Sequence, residues 1–181
     1  MQPSEFEKNV AKHIKGSKPA PVHLWSPPFC GDLEMHIDTN GRWFYQESEI
    51  KRDRLIKLFA NILKKENEKY FLVTPVEKVG ITVADVPFIA TEIDVITEKQ
   101  NILFKFTTNV GDETYLKEYD QFKILFKKST DEPQPYINVR SNLFAKIDRK
   151  SFYRLVDHCT ETLHKGEKWL GFHSNNIFFP L

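Results

Sequence analysis

Two short stretches of this chain gather side chains that could recognise a ligand. Residues 70–78 read Tyr-Phe-Leu-Val-Thr-Pro-Val-Glu-Lys. The first four have the aromatic and β-branched make-up of a buried strand, and Thr74-Pro75 then interrupts it, because proline has no N–H to give a ladder. Past the break come the hydroxyl of Thr74, the carboxylate of Glu77 and the ammonium of Lys78, a set that could orient a ligand and hold its charge. Glu77 could also act as general base in a hydrolytic or transfer reaction. An edge strand with a bulge and a solvated ion pair is the plainer account of the same residues. Residues 136–140, Tyr-Ile-Asn-Val-Arg, alternate so that Tyr136, Asn138 and Arg140 share one face while Ile137 and Val139 turn to the core. A ring, an amide and a guanidinium in a row could stack on an aromatic ligand, read its edge and bind a phosphate or carboxylate. A solvated strand face explains them as well. Asn109 adds an amide, with turn formation as its alternative role, and Trp43 adds a second ring that could stack.

Other chemistry lacks its motifs. The chain contains no Gly-x-x-x-x-Gly-Lys-Ser/Thr loop, no Gly-x-Gly-x-x-Gly and no Gly-x-Ser-x-Gly elbow. His36 with Glu34, or His158 with Cys159, would each need two further ligands to hold a metal, so no metal and no cofactor is expected. Arg52 and Arg149 each open a helix, where a cation gains nothing from the dipole, and a carboxylate partner is expected for both. Lys and Arg number 26 against 25 Asp and Glu, a net charge of +1, which excludes a global field steering the protein to nucleic acid or an anionic membrane. Cys30 and Cys159 stand far apart and are expected to be reduced, with Cys159 in the core. Neither a signal-peptide run nor a span of ~20 apolar residues occurs, and the expected location is cytoplasmic.

Elements able to position these residues are legible in the pattern. Ser4 can cap a helix to residue 15, and Pro19 to Cys30 should run extended, anchored by Trp25. Leu33, Met35 and Ile37 alternate with polar residues, Asp38 to Gly41 supplies an Asn-Gly turn, and residues 42–46 return as a second strand. The stripe Leu55, Leu58, Phe59, Ile62 and Leu63 predicts a helix over residues 50–65. Strands are expected at 70–76 and 79–83, then at 88–96, 101–108, 121–127, 136–140 and 143–147. A second helix is expected over 149–164, capped by Asp148 and carrying Phe152, Leu155, Cys159 and Leu163 inward, before strands at 168–172 and 176–179.

The two helices align. Ile50-x-Arg52-x-x-Leu55-x-x-Leu58 matches Ile147-x-Arg149-x-x-Phe152-x-x-Leu155 at a constant offset, and Glu68-Lys69-Tyr70 then matches Glu167-Lys168-Trp169. An internal duplication follows: two strand-strand-helix-strand-strand units, with residues 88–127 inserted between their cores. The fold class is α+β. Residues 1–22 form a helix and arm, 23–87 a first repeat and 88–181 a second, β-rich repeat, and a ligand cleft is expected at the seam of the halves.

Trp25-x-x-Pro28-x-x-Gly31-Asp32-x-x-Met35-x-Ile37, Gly41-x-Trp43, Leu72-Val73-Thr74-Pro75-Val76-Glu77-Lys78, Thr108-Asn109 and Tyr136-x-x-Val139-Arg140 together resemble the bacterial family called domain of unknown function 1285. The resemblance runs from about Pro21 to Phe179, with Leu33-Glu34 where the family pattern reads Ile-Asp. It implies a duplicated α+β core whose second half is loosely similar to pleckstrin-homology-like folds, and a nucleotide-like ligand bound in signalling. The expectation is a ligand-sensing module for a nucleotide-like anion, with Tyr136 or Trp43 stacking, Arg140 and Lys78 on the charge, and Thr74, Glu77, Asn109 and Asn138 fixing orientation. The alternatives are an interaction module for a signalling protein, without a small ligand, and a hydrolase working through Glu77.

Overall fold

The architecture is that of a computed structural model, which describes Val10 and residues 19–98, 101–127, 130–164 and 166–181. The N-terminal helix expected over residues 4–15 lies, Val10 apart, outside them. The chain divides into two compact units, Met1–Pro87 and Phe88–Leu181.

The first unit begins with a 3-10 turn at Val22–Leu24, tied to the unit by the Ala20 amide on the Asn61 carbonyl at 2.9 Å. Then come β1 (Phe29–Ile37), β2 (Trp43–Tyr45), β3 (Ser48–Glu49), α1 (Asp53–Asn61), β4 (Leu63–Glu66), β5 (Lys69–Val73) and β6 (Lys78–Val83). The expected hairpin is present. Asp38 closes it by accepting from the amides of Asn40 and Arg42, both at 2.9 Å, and Gly41 takes the left-handed conformation the turn requires. The strands form one sheet in the order β3-β2-β1-β6-β5-β4, in which β1 and β6 run parallel and the other neighbours antiparallel.

Helix α1 is shorter than its stripe predicts. It buries Leu55 and Phe59, stops at Asn61, and hands Leu63–Glu66 to a hairpin with Lys69–Leu72. Ile62 and Leu63 extend the apolar stripe, but Asn67 adopts a left-handed turn conformation and the strand pairing around it overrides helix periodicity.

The second unit contains β7 (Phe88–Glu98), β8 (Asn101–Thr108), β9 (Glu113–Tyr115), a 3-10 turn (Tyr119–Gln121), β10 (Phe122–Phe126), β11 (Pro133–Arg140) and β12 (Leu143–Ile147). After these come α2 (Arg149–Val156), β13 (Thr160–His164), β14 (Glu167–Ser174) and β15 (Ile177–Pro180). The six-stranded sheet runs β10-β11-β12-β7-β8-β9, and here β12 and β7 are the parallel pair. A three-stranded sheet, β13-β14-β15, covers one face of it. Phe172 and Phe179, stacked at 5.3 Å, meet Phe122 edge-on, and Phe172 also meets Phe104 edge-on at 5.2 Å. Buried Ser174 completes the seat, donating to the Leu116 carbonyl at 2.6 Å and accepting from the Phe104 amide at 3.1 Å.

The fold is α+β and it is duplicated, with the repeat in a different register from the helix alignment. Each six-stranded sheet is a meander whose first strand is inner, a connection, and a meander whose last strand is inner, the two inner strands lying parallel. Thus β1–β6 corresponds to β7–β12, and residues 88–127 open the second copy instead of interrupting it. The connection is α1 in one copy and only the Tyr119–Gln121 turn in the other, so the second copy offers no apolar stripe to align. Helix α2 follows the second sheet. Asp148 caps it as expected, accepting from the Ser151 amide at 2.7 Å, but the helix ends at Val156 and the expected inward Leu163 lies on strand β13, 73% exposed.

Gly171 is the tightest backbone approach in the small sheet. A methyl group there would collide with the Phe179 carbonyl oxygen and the Phe178 ring, and the carbonyl cannot move without parting β14 from β15. Gly171→Ala is expected to lower stability by about 2 kcal/mol or more in urea denaturation, beyond Gly166→Ala, whose new methyl group meets nothing within 4 Å and whose cost, about 1 kcal/mol, is only that of a left-handed backbone at φ +87°. Equal losses in the two variants would contradict this packing.

Candidate functional site

The first-unit candidates are Trp43, Thr74, Glu77 and Lys78. Thr74 through Glu77 form the loop between β5 and β6, with Val73 opposite Lys78. The Thr74 hydroxyl accepts from the amides of Glu77 at 3.1 Å and Val76 at 3.4 Å, while the Thr74 amide donates to the Glu77 carbonyl at 2.9 Å. Pro75 occupies an exposed position in this loop. The break in the apolar run is therefore turn chemistry between two strands, and β5 is an inner strand, not a bulged edge. Glu77 is 7% exposed, and its Oε1 has no hydrogen-bond partner among the described residues. Lys78 donates to Glu66 at 2.9 Å and lies 4.8 Å from the centre of the Phe71 ring. Hydrogen bonds from Lys78 and then Lys64 hold the Glu66 carboxyl below its ordinary 4.5. Trp43 is wholly buried against Phe59, with ring centres 6.2 Å apart, so its expected role as a stacking surface gives way to a core role.

The second-unit candidates are Asn109, Tyr136, Asn138 and Arg140. Asn109 imitates a strand partner for β7: its amide donates to the Ile89 carbonyl at 2.8 Å and its Oδ1 accepts from the Ile89 amide at 3.0 Å. The loop it belongs to is closed by the Asp112 amide on the Thr108 hydroxyl at 3.0 Å, and it delivers the Asp112 carboxylate to Arg140. The Arg140 guanidinium also lies 5.0 Å from the centre of the buried Phe88 ring.

Tyr136, Asn138 and Arg140 do not share a face. Asn138 stands opposite Phe144, whereas Arg140 stands opposite Leu143, with an irregularity between. Leu143 and Phe144 are successive residues and point to opposite faces. The bulge at Val139 thus moves Arg140 onto the side of Leu143 and Phe88 and leaves Tyr136 and Asn138 on the other. That other side carries what strand alternation alone missed. Lys123 and Lys146 stand directly opposite Tyr136 on its two neighbouring strands. The Lys123 ammonium lies 4.1 Å from the centre of the Phe144 ring and 5.8 Å from that of Tyr136. Among the described residues neither lysine pairs with a carboxylate. Tyr136 itself is buried, its hydroxyl 3.1 Å from Gln134 Oε1, and the Asn138 amide donates to the Ser141 carbonyl at 2.9 Å. The signal that could have found the lysines is strand register, which one sequence does not supply.

Neither His36 with Glu34 nor His158 with Cys159 acquires a metal set: among the described residues no three His, Cys, Asp or Glu side chains converge. Arg149 takes the Tyr153 hydroxyl at 3.0 Å instead of the expected carboxylate. Both cysteines are free thiols; Cys30 is exposed, and burial pushes up the thiol of half-buried Cys159. No described helix is long and apolar enough to cross a membrane.

Family models match both units: "Domain of unknown function (DUF1285), N-terminal domain" over residues 20–86 and "Protein of unknown function (DUF1285), C-terminal domain" over residues 87–181. The chain belongs to the DUF1285 family. A DUF1285 protein of Silicibacter pomeroyi DSS-3, with a crystal structure at 2.50 Å, is similar at a TM-score of 0.86 and 46% identity over 97% of this chain and 93% of that one. A second DUF1285 structure, from Shewanella baltica OS155 at 1.40 Å, is similar at a TM-score of 0.56 and 26% identity over 69% of this chain and 91% of that one. No curated protein matches the chain.

Two outcomes follow from the ion pairs of this DUF1285 chain. The Arg140 and Asp112 side chains are largely buried, so Arg140→Ala should cost about 2–3 kcal/mol by urea denaturation. A double-mutant cycle with Asp112→Ala should return a coupling of at least about 1 kcal/mol; additive losses would deny the pair a structural role. Glu66 is different, being half-buried between Lys64 and Lys78. Because its folded pKa is depressed, its charge supports the fold above about pH 4.5, and that support is lost as the pH falls through the lower folded value. Lys78→Met should flatten the acid limb of the stability curve, and an unchanged limb would rule the pairing out as its source.

Proposed function

We propose that this chain is a ligand-sensing module that binds a small nucleotide-like anion on the Tyr136 face of the second sheet and performs no reaction on it. The observation that carries the reading is the row Lys123, Tyr136 and Lys146 across three strands, with Phe144 beneath the Lys123 ammonium. Two ammonium groups without a described acid partner attract a phosphate, and an aromatic ring capped by a mobile cation offers a surface to a base once that cation turns to the phosphate. Asn138 adds an amide at the edge of the same face. Arg140 has a different part in this reading: bound to Asp112, it stiffens the adjoining loop instead of meeting the ligand. The hydrolytic alternative is less well supported, since the hydroxyl nearest Glu77 along the chain, that of Thr74, is committed to the turn's own amides.

A second reading has its own observation. Strand β10 lies at an edge of its sheet, and Leu125 and Phe126 on it are 50% and 60% exposed. Such an edge suits a protein-interaction module in a signalling assembly, with an extended partner adding as a further strand.

The deciding experiment is a thermal-shift and calorimetric screen of mono-, di- and cyclic nucleotides. At ~100 times Kd a ligand specific for the native state adds about 2.7 kcal/mol, a plain rise in Tm. The expected result is a hit whose affinity falls at least tenfold in Lys123→Gln/Lys146→Gln. A flat screen at millimolar nucleotide, or a hit indifferent to both lysines, would reject the nucleotide reading and favour the interaction module.

A further inference from the structure

Among the described residues no strand lies outside β13, at one end of the small sheet. Its register with β14 runs from Thr160–Gly171 to His164–Glu167 without irregularity, and residues 165–166 alone separate the closing pair. A two-residue hairpin closes on a pair that exchanges both hydrogen bonds, and such pairs alternate along an antiparallel ladder. Thr160, Thr162 and His164 therefore turn their amides and carbonyls to β14, while those of Glu161 and Leu163 point away from the sheet. The Leu181 amide on the Leu170 carbonyl at 2.9 Å agrees with this alternation, since Leu170, opposite Glu161, turns to the far side of β14. Among the described residues the outward amides and carbonyls of Glu161 and Leu163 have no partner.

This edge is also undefended. The large sheets end at β3 and β9 with strands of 2 and 3 residues, and at β4 with Lys64 and Lys65, both ordinary ways to keep an edge from pairing. Thr160–His164 has no proline, lysine or bulge. Leu163 is 73% exposed, and Leu170, diagonal to it on the same face, is 49% exposed, so the apolar row of Phe172 continues past the core. The strand is complementary to itself. About a two-fold axis through Thr162, Glu161 of each copy meets Leu163 of the other, and hydrogen bonds in both directions use every outward group of both strands. Thr162 then stands opposite Thr162 of the second copy, a favourable cross-strand pair, and Thr160 stands opposite His164. Beyond Leu163 the same row reaches Lys168, which has no carboxylate partner among the described residues, so each copy's Glu161 lies toward the other's ammonium. No like charges face each other across the seam.

We propose that β13 is a homodimer interface, at which two copies of this chain pair antiparallel about Thr162 and join their small sheets into one. It is separate from the β10 edge, whose occupant in the second reading above is a foreign strand. So short a strand pair makes a small interface, and the dimer is a reversible one. The test is sedimentation equilibrium of the full chain from about 5 to about 500 µM, a range suited to a small interface. The unaltered chain should pass from monomer to dimer. Thr162→Lys and Thr162→Glu each set like charges face to face and should raise the dissociation constant at least tenfold, whereas an equal mixture of the two variants should recover association. Recovery in the mixture cannot come from a misfolded variant. Leu163→Pro, which removes an outward amide and none that serves β14, should also weaken the dimer at least tenfold. A chain that stays monomeric throughout overturns the inference and leaves the edge to a strand of another protein. A dimer indifferent to charge at position 162, or one that the mixture fails to restore, overturns it as well.

Discussion

Two strands that run side by side in the same direction cannot be joined by a tight turn, and the rest of this architecture depends on that constraint. In each six-stranded sheet the sheet's own first and last strands in chain order are such a pair, β1 with β6 and β7 with β12. Four strands and a connecting element must lie between them in the chain, and these become the two flanks of the sheet. Pairing the first and last of a sheet's six strands puts the strands farthest apart in sequence at its centre. It also explains why the connecting element is free to be a helix of nine residues in one copy and a three-residue turn in the other. The central ladder does not pass through it.

Local features of the fold were legible because local chemistry decides them. The Asp38–Gly41 turn, the alternation of Phe104 and Phe106, and the Asp148 cap each rest on residues a few places apart. What was not legible depends on a partner elsewhere in the chain. Nothing near Asn61 says that the apolar stripe should end there, because Ile62 and Leu63 continue it; the strand across the Asn67 turn says so. The duplication was visible but misaligned for the same reason. Amphipathic helices resemble one another because they solve one burial problem, while equivalence of strands lies in their order within a sheet.

The candidate site shows the same division at the level of single side chains. A Thr-Pro-Val-Glu string reads as exposed polar chemistry until its hydroxyl is found bound to the amides of its own turn. Arg140 reads as a partner of Tyr136 and Asn138 until one extra residue turns it to the other face, where Asp112 takes its charge. By contrast, Lys123 and Lys146 look like ordinary solvated residues in sequence, and only the ladder brings them to opposite sides of one tyrosine ring. Polar groups in an apolar setting were easy to notice because of their residue type. Their availability to a ligand is set by what they already bind.

A net charge of +1 across 181 residues excludes long-range steering and says little about recognition at contact. At physiological ionic strength a charge is felt over roughly 8 Å, so each site answers to its own few neighbours, not to the sum. In the first unit Glu34 on the bulged β1 and Glu47 in the β2–β3 turn lie beside a groove without a described base, and in the second the sheet face around Tyr136 holds Lys123 and Lys146 without a described acid. Opposite local fields on two copies of one fold cancel in composition while each stays intact in space. Copies with a common backbone plan can thus differ in chemistry through surface side chains alone, at positions where the pairing of the inner strands puts no demand on residue type.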